Sequence, residues 1–221
     1  MGGDGGVNVT IPASVQALEL NPDLSLFLVG DEHRIQPFLA SINAPLRSRI
    51  SLLHTTECIK DDDKPGNALR NAKQSSMYLA VELLKNGDVE AMVSAGNTGA
   101  LLMIGRHLLQ TIRGIQKPAI VATIPGASRQ CYLLDVGANL DCSAQQLFEF
   151  AVMGSVLAES LLGEAPRVGL LNIGSEQYKG TDEVRAAGAL MERCPDLNYT
   201  GFIEANALFE GTADVVVCDG F

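Results

Sequence analysis

At 221 residues the chain is long enough for one large domain or two small ones, and it can bury a substantial core. Its 47% hydrophobic content with 5% aromatics and no Trp suits Val/Leu/Ile/Ala-rich parallel strands covered by helices. A net charge of −10 argues against non-specific nucleic-acid binding.

The charge is unevenly spread. Residues 1–129 carry 12 basic and 12 acidic side chains, whereas residues 130–221 carry 4 and 14. An acidic partner is therefore expected on the first half. Cys58, Cys131, Cys142, Cys194 and Cys218 form no C-x-x-C pair, which indicates reduced thiols of a cytosolic protein and neither a zinc knuckle nor a disulfide framework. No basic-then-apolar leader opens the chain, so no signal peptide is expected. Glu149 and Glu159 interrupt the apolar stretch Phe148–Leu162, which reads as a buried helix and not a membrane span.

In chain order, strands are predicted at Leu24–Gly30, Arg49–Thr55, Ala91–Ala95, Ala119–Pro125, Cys131–Val136, Arg167–Ile173, Tyr199–Glu204 and Ala213–Cys218. Helices are predicted at Ala13–Leu20, His33–Ile42, Gln74–Asn86, Thr98–Thr111, Ser143–Leu162 and Thr181–Arg193. In Gln74–Asn86 the apolar positions Met77, Ala80, Val81 and Leu84 keep helical spacing, and Gly87 follows as a C-cap signal. The alternation calls for βαβ units and a mostly parallel sheet. Ala119–Pro125 and Cys131–Val136 lie too close for a crossover helix, so Gly126-Ala127-Ser128-Arg129 reads as a hairpin turn. Lys60-Asp61-Asp62-Asp63-Lys64-Pro65-Gly66 reads as a mobile loop.

Five segments place glycine beside small polar or charged residues where a strand hands over to a helix or turn. They are Met1–Asp4, Ser94–Gly99, Asp135–Asn139, Asn172–Glu176 leading to Lys179–Asp182, and Cys218–Phe221. Such turns line one edge of a parallel sheet, and N–H groups at helix starts make that edge receptive to phosphate. In Ser94–Gly99 the two glycines allow close ligand approach, and Asn97 or Thr98 can cap the next helix. Residues 174–181 resemble a Walker A loop with Lys179 and Gly180 exchanged, which excludes that nucleotide motif but leaves a lysine able to neutralise a phosphate. No Gly-x-Gly-x-x-Gly occurs, and His33, His54 and His107 are isolated. Asp135, Asn139 and Asp141 follow a strand in close order and can position ligands, but their spacing does not by itself make a metal site. Arg70 and Lys73, read as the start of a helix, can meet a phosphate or an acidic partner or simply be solvated.

Read together, these stretches resemble the acyl-ACP:phosphate acyltransferases of bacterial phospholipid synthesis, the PlsX family. The resemblance is carried by Met1–Asp4, Ala68–Met77, Val93–Leu102, Leu134–Asp141 with Met153–Ala158, Gly169–Asp182, Gly201–Asn206 and Asp214–Phe221. It implies a three-layer αβα sandwich with a mostly parallel sheet, similar to isocitrate and isopropylmalate dehydrogenases. It implies transfer of a long acyl chain from acyl carrier protein to inorganic phosphate by a cytoplasmic homodimer that touches the membrane peripherally, with no organic cofactor and no metal. By the same comparison residues 1–221 form a single α/β domain cut at both ends, the membrane contact lying in regions this chain lacks.

The site expected from this reading has Lys179, Asn97 and Asp135 as catalytic residues. Asp4, Arg70, Ser94, Gly96, Thr98, Gly99, Asn139, Gly180, Asn206 and Asp219 are expected around phosphate and acyl-ACP. Asn97 and Thr98 are expected to donate to the phosphate, and Asp135, Asn139 and Asn206 to orient the site. A phosphate acetyltransferase using short acyl-CoA, an NAD- and metal-dependent dehydrogenase of related fold, and an inactive carrier-binding fragment are the competing readings.

Overall fold

The computed structural model describes residues 2–127 and 129–221. Met1 and Ser128 lie outside the described residues, and with them part of the first glycine turn and of the hairpin turn. The chain divides into two compact units, Met1–Gln110 and Thr111–Phe221.

The first unit contains α1 (Val7–Leu20), β1 (Leu26–Gly30), α2 (Glu32–Leu39), α3 (Ala44–Arg47), β2 (Ile50–His54), α4 (Pro65–Asn71), α5 (Ser76–Asn86) and α6 (Thr98–Leu109). Strands β1 and β2 pair in parallel, Leu26 opposite Ile50 through Gly30 opposite His54. Leu28 and Ile50 pack with Val7, Ile11 and Leu18 of α1 and with Ile35 and Leu39 of α2. A second core joins Met77, Tyr78 and Val81 of α5 to Ala100, Ile104 and Leu108 of α6. Serine and asparagine caps set the helix starts: the side chain of Ser75 accepts from Tyr78 N and that of Asn43 from Leu46 N. Gly87 ends α5 at φ 78°, the left-handed C-cap expected of it.

Three expectations change here. Residues 91–95 make no ladder and are not a strand, although their burial alternates as a strand's does. Gly2 and Gly3 lie against Ala95 and Gly96 instead, and Val93 is 97% exposed. The polar loop ends earlier than expected, because Pro65 sits at the first position of α4, where its missing N–H is harmless. That places Arg70 near the end of a helix, not at its start, and Lys73 between two helices.

The second unit contains β3 (Val121–Pro125), β4 (Gln130–Leu134), α7 (Ala144–Leu162), β5 (Val168–Leu171), α8 (Asp182–Glu192), β6 (Tyr199–Ile203), α9 (Ala207–Glu210) and β7 (Val215–Val217). They build a five-stranded sheet in the order β3-β4-β7-β5-β6. The β3–β4 pair is antiparallel, as the short connection requires, and the other three pairs are parallel. Side chains alternate across it. Tyr132, Leu134, Val168, Leu170, Val215 and Val217 face the core shared with α7 and α8, while Cys131, Leu133, Leu171 and Val216 face the other way. Ser143 and Gln146 form a capping box at the start of α7. Gly154 lets α7 close onto the sheet, since a Cβ there would stand 2.7 Å from Val215 Cγ1 and 2.9 Å from Leu134 Cδ1.

Candidate functional site

In the second unit the parallel strands β4, β5, β6 and β7 all end on one edge, and the residues that follow β5, β6 and β7 form the wall of a cleft of about 540 Å³. Asn172 and Ile173 follow β5, Glu204 and Ala205 follow β6, and Cys218 and Asp219 follow β7. Gly180, Thr181 and Val184 enter from the start of α8, and Leu147, Leu170 and Leu171 make an apolar floor. Crevices at the carboxyl ends of parallel strands are where α/β proteins hold ligands.

Asp135 stands at the end of β4, 1% exposed, and among the described residues no Lys, Arg or His nitrogen lies within 4.0 Å of its carboxylate. Its charge is met by N–H groups: Ile120 N (2.8 Å) and Ala138 N (3.2 Å) donate to Oδ1, and Asn139 N (2.7 Å) and Nδ2 (2.8 Å) donate to Oδ2. Asn139 Nδ2 also reaches Pro118 O at 2.9 Å. The 135–139 turn is tied to the cleft wall, because Asp135 N donates to Cys218 O and Gly220 N to Asn139 O. Gly220 is needed there: a Cβ would stand 2.8 Å from Asn139 O and 3.0 Å from Gly137 Cα. Enclosed in this way, Asp135 orients the turn and has no open face toward a substrate.

The β5–α8 loop is built around Asn172. Its Nδ2 donates to Lys179 O at 3.1 Å and its Oδ1 accepts from Ile173 N at 2.9 Å. Gly180 sits at φ 88° directly against that amide, in a backbone state few other residues take and in space no side chain fits. Thr181 then caps α8 by accepting from Val184 N. Lys179 Nζ pairs with Glu176 Oε2 at 2.8 Å.

Cys218 lines the cleft, and its Sγ donates to Asp135 O at 3.2 Å. Burial first, then the charges of Asp219 and Asp135, push its thiol up to about 11. It is held protonated and is a poor nucleophile at neutral pH.

Of the expected residues in this unit, Gly180 and Asp219 line the cleft, Asp135 and Asn139 brace its wall, and Lys179 sits beside Gly180. Asn206 does not line it; its amide turns to Glu210 Oε1 at 3.2 Å, and Glu204 and Ala205 occupy the wall. Asn172, Thr181 and Cys218 lie within the glycine turns read from sequence, and Glu204 at the end of a predicted strand, but none of the four was expected in the site. Thr181 was legible as a cap, whereas Asn172 acts through contacts seven and eight residues along the chain that no local pattern encodes.

In the first unit, the Ser94–Gly99 turn carries Asn97 at the N-cap of α6, where its Oδ1 accepts from Ala100 N at 2.9 Å. Its Nδ2 faces the carbonyls of Lys60, Asp61 and Asp63 at 3.0–3.2 Å. The expected amide donor to phosphate is thus spent within the fold, and Asn97 pins the 60–63 loop instead. Ser94 Oγ accepts from Gly96 N, Gly96 lies against Gly2, and Gly99 lies against the ring of Pro65. Thr98 and Asp4 are exposed. Arg70 donates to Asn67 Oδ1 at 3.1 Å. Among the described residues no group of three or more His, Cys, Asp or Glu could hold a metal ion, and no helix is long and apolar enough to cross a membrane.

The model of the family described as fatty acid synthesis protein matches residues 1–221. The chain belongs to that family. Among curated relatives, a protein named phosphate acyltransferase from Shewanella woodyi is 52% identical over 223 residues, covering 100% of this chain and 65% of the relative. One of the same name from Halorhodospira halophila is 48% identical over 222 residues, with the same coverage. This member of the family thus spans 65% of the length of those relatives.

Its backbone is similar to the EutD phosphotransacetylase from Staphylococcus aureus, with TM-score 0.63 and 16% identity over 96% of this chain and 74% of that one. A branched-chain phosphotransacylase from Enterococcus faecalis V583 gives TM-score 0.56 and 15% identity over 96% and 76%. These two establish an α/β fold with parallel and mixed sheets.

Proposed function

We propose that the protein is an acyltransferase that moves a long acyl chain from the thioester of acyl carrier protein to inorganic phosphate, releasing acyl phosphate and free carrier for phospholipid synthesis. The observation that carries this reading is the cleft at the carboxyl ends of β5, β6 and β7. Its floor is apolar, its rim carries Gly180 and Thr181 of the Lys179 loop, and its thiol is protonated. The names of the relatives, at about half identity over the whole chain, support the same chemistry.

The reaction needs little covalent help. A phosphate oxygen attacks the thioester carbonyl carbon, the tetrahedral oxyanion collapses, and the carrier leaves as a thiolate that takes up a proton. What the protein must supply is proximity and charge. Lys179 offers the charge for phosphate, with Gly180 giving backbone access. Asp135 and Asn139 hold the 135–139 turn against the segment after β7 that contains Cys218 and Asp219. The Ser94–Gly99 turn, with Ser94, Gly96, Thr98 and Gly99, remains a candidate anion contact, bordered by Asp4 and Arg70. Asn206 keeps at most a peripheral part. Burial pushes the Cys218 thiol up to about 11, which favours direct transfer over an acyl-cysteine.

The same reading includes a single domain over residues 1–221 in the three-layer arrangement of isocitrate and isopropylmalate dehydrogenases, a homodimer, and a cytoplasmic enzyme touching the membrane peripherally. Lys179→Ala in the intact enzyme should lower acyl phosphate formation by on the order of 10²-fold. A hydroxamate assay with long-chain acyl-ACP and with acetyl-CoA, at fixed phosphate, tests both role and donor. Near-normal turnover of the variant sinks the role of Lys179, and a preference for acetyl-CoA moves the assignment to a phosphate acetyltransferase.

A further inference from the structure

The β5–α8 loop holds an anion of its own against its one lysine. Glu176 Oε2 and Lys179 Nζ are 2.8 Å apart, and the two side chains are 44% and 35% exposed. The lysine folds back over Gly174, where a Cβ would stand 2.7 Å from Lys179 Nζ and 2.7 Å from Glu176 Oε2. Gly174 is buried, so the pair lies across a backbone floor that only glycine provides. The hydrogen bond from Lys179, followed by one from its own backbone, holds the Glu176 carboxyl below its ordinary range, so it stays ionised. Meanwhile Asn172, a cleft-lining residue, fixes the backbone of Lys179. The stem of Lys179 is anchored beside the cleft while its head is turned onto Glu176.

Resting on the reading of Lys179 as a phosphate ligand, we propose that Glu176 is an internal competitor for phosphate. Its carboxylate holds the ammonium, and an incoming phosphate takes its place. A carboxylate carries one negative charge and a phosphate dianion two, so the exchange favours the dianion at a shared ammonium. An ion pair this exposed is held weakly, which makes exchange cheap. The freed carboxylate then stands near the bound phosphate and repels it. The device therefore sets a threshold: the loop tightens on a dianion and resists singly charged anions.

Titration calorimetry of inorganic phosphate into the wild-type chain, E176Q, K179A and the double variant tests this, with thermal melts confirming that each is folded. E176Q keeps the size of the side chain and removes the charge. It should tighten phosphate about three- to ten-fold, less so at high salt, and should tighten formate by a smaller factor. On the K179A background the same change should have a smaller effect, because the two residues are coupled. If K179A weakens phosphate but E176Q leaves it unchanged or weaker, the competitor role is overturned and the phosphate role of Lys179 stands. If K179A changes nothing, or neither the wild-type chain nor E176Q binds phosphate, both are overturned.

Discussion

Asn139 holds Asp135 twice, through its backbone N–H and its side-chain amide, both on Oδ2 at 2.7 and 2.8 Å. With Ile120 and Ala138 on Oδ1, four N–H donors meet the carboxylate. Asp135→Ala strands all four beside a new cavity and should cost on the order of 3 kcal/mol or more in urea denaturation. Asp135→Asn should also destabilise, since its NH₂ would face donors. A change within experimental error for both would remove the anchoring role.

Asn97 separates two functions by substitution. Asn97→Asp keeps the oxygen that caps α6 but turns an acceptor toward the carbonyls of Lys60, Asp61 and Asp63. It should leave the helix intact and release the loop, read as faster proteolysis within residues 60–66. Asn97→Ala should lose the cap as well, at about 1 kcal/mol.

Gly180→Ala should disturb the cleft rim. Its φ of 88° strains any side chain, and the added carbon would collide with the Asn172 amide. The expected loss is about 1–3 kcal/mol, together with weakened phosphate binding. Gly87→Ala, also at positive φ but with nothing within 4 Å, should lose stability without changing ligand affinity.

At the opposite end of the strands, Asp214 is buried, and Arg167 Nε and Nη2 grip its two oxygens at 3.0 Å. Burial alone would raise its pKa. The bonds from Arg167, side chain then backbone, and the nearby Arg129 outweigh that and hold it below the ordinary carboxylate range. A depressed folded pKa gives stability that is complete above the unfolded value near 3.9 and lost as pH falls through the folded one. Stability should therefore be flat in this respect above about pH 5 and drop below about pH 4. Arg167→Ala leaves Arg129 at 3.6 Å as the remaining ion-pair partner, should cost on the order of 2–3 kcal/mol, and should move acid unfolding to higher pH.

The thiols give a further check. Burial raises Cys131 and Cys218 to about 11, whereas Cys58 is exposed. Iodoacetamide at pH 8 should label Cys58 first and leave Cys131 and Cys218 largely unmodified in the folded protein. Intact mass after incubation with an acyl thioester should show no acyl-enzyme, and an adduct on Cys218 would overturn direct transfer.

Much of this architecture was legible from pattern. The β3–β4 hairpin followed from a connection too short for a helix, and the start of α8 lies within one residue of the helix predicted from Thr181. The start of α7 was legible as well, and Ser143, the first residue of the predicted helix, supplies its cap. What failed was non-local. Residues 91–95 carry strand-like alternation but find no ladder partner, and pairing is a property of two segments. Asn97 carries the right chemistry for a phosphate, yet three carbonyls from a loop more than thirty residues away claim its amide. Helix α4 was hidden because charge was weighed above Pro65, whose place at a helix start was readable.

The strand order has a consequence for synthesis on the ribosome. β7, made of residues 215–217, lies between β4 and β5 at the middle of the second sheet. As the chain emerges, β4 and β5 come out early with open edges facing each other's future neighbour, and the strand that joins them comes out last of the five. Until it arrives, the nascent sheet is two unconnected pairs with exposed hydrogen-bonding edges, the kind of surface that recruits other chains. Nascent chains released before residue 215 should thus be the aggregating species, while those carrying Val215–Val217 should close the sheet in one long-range step.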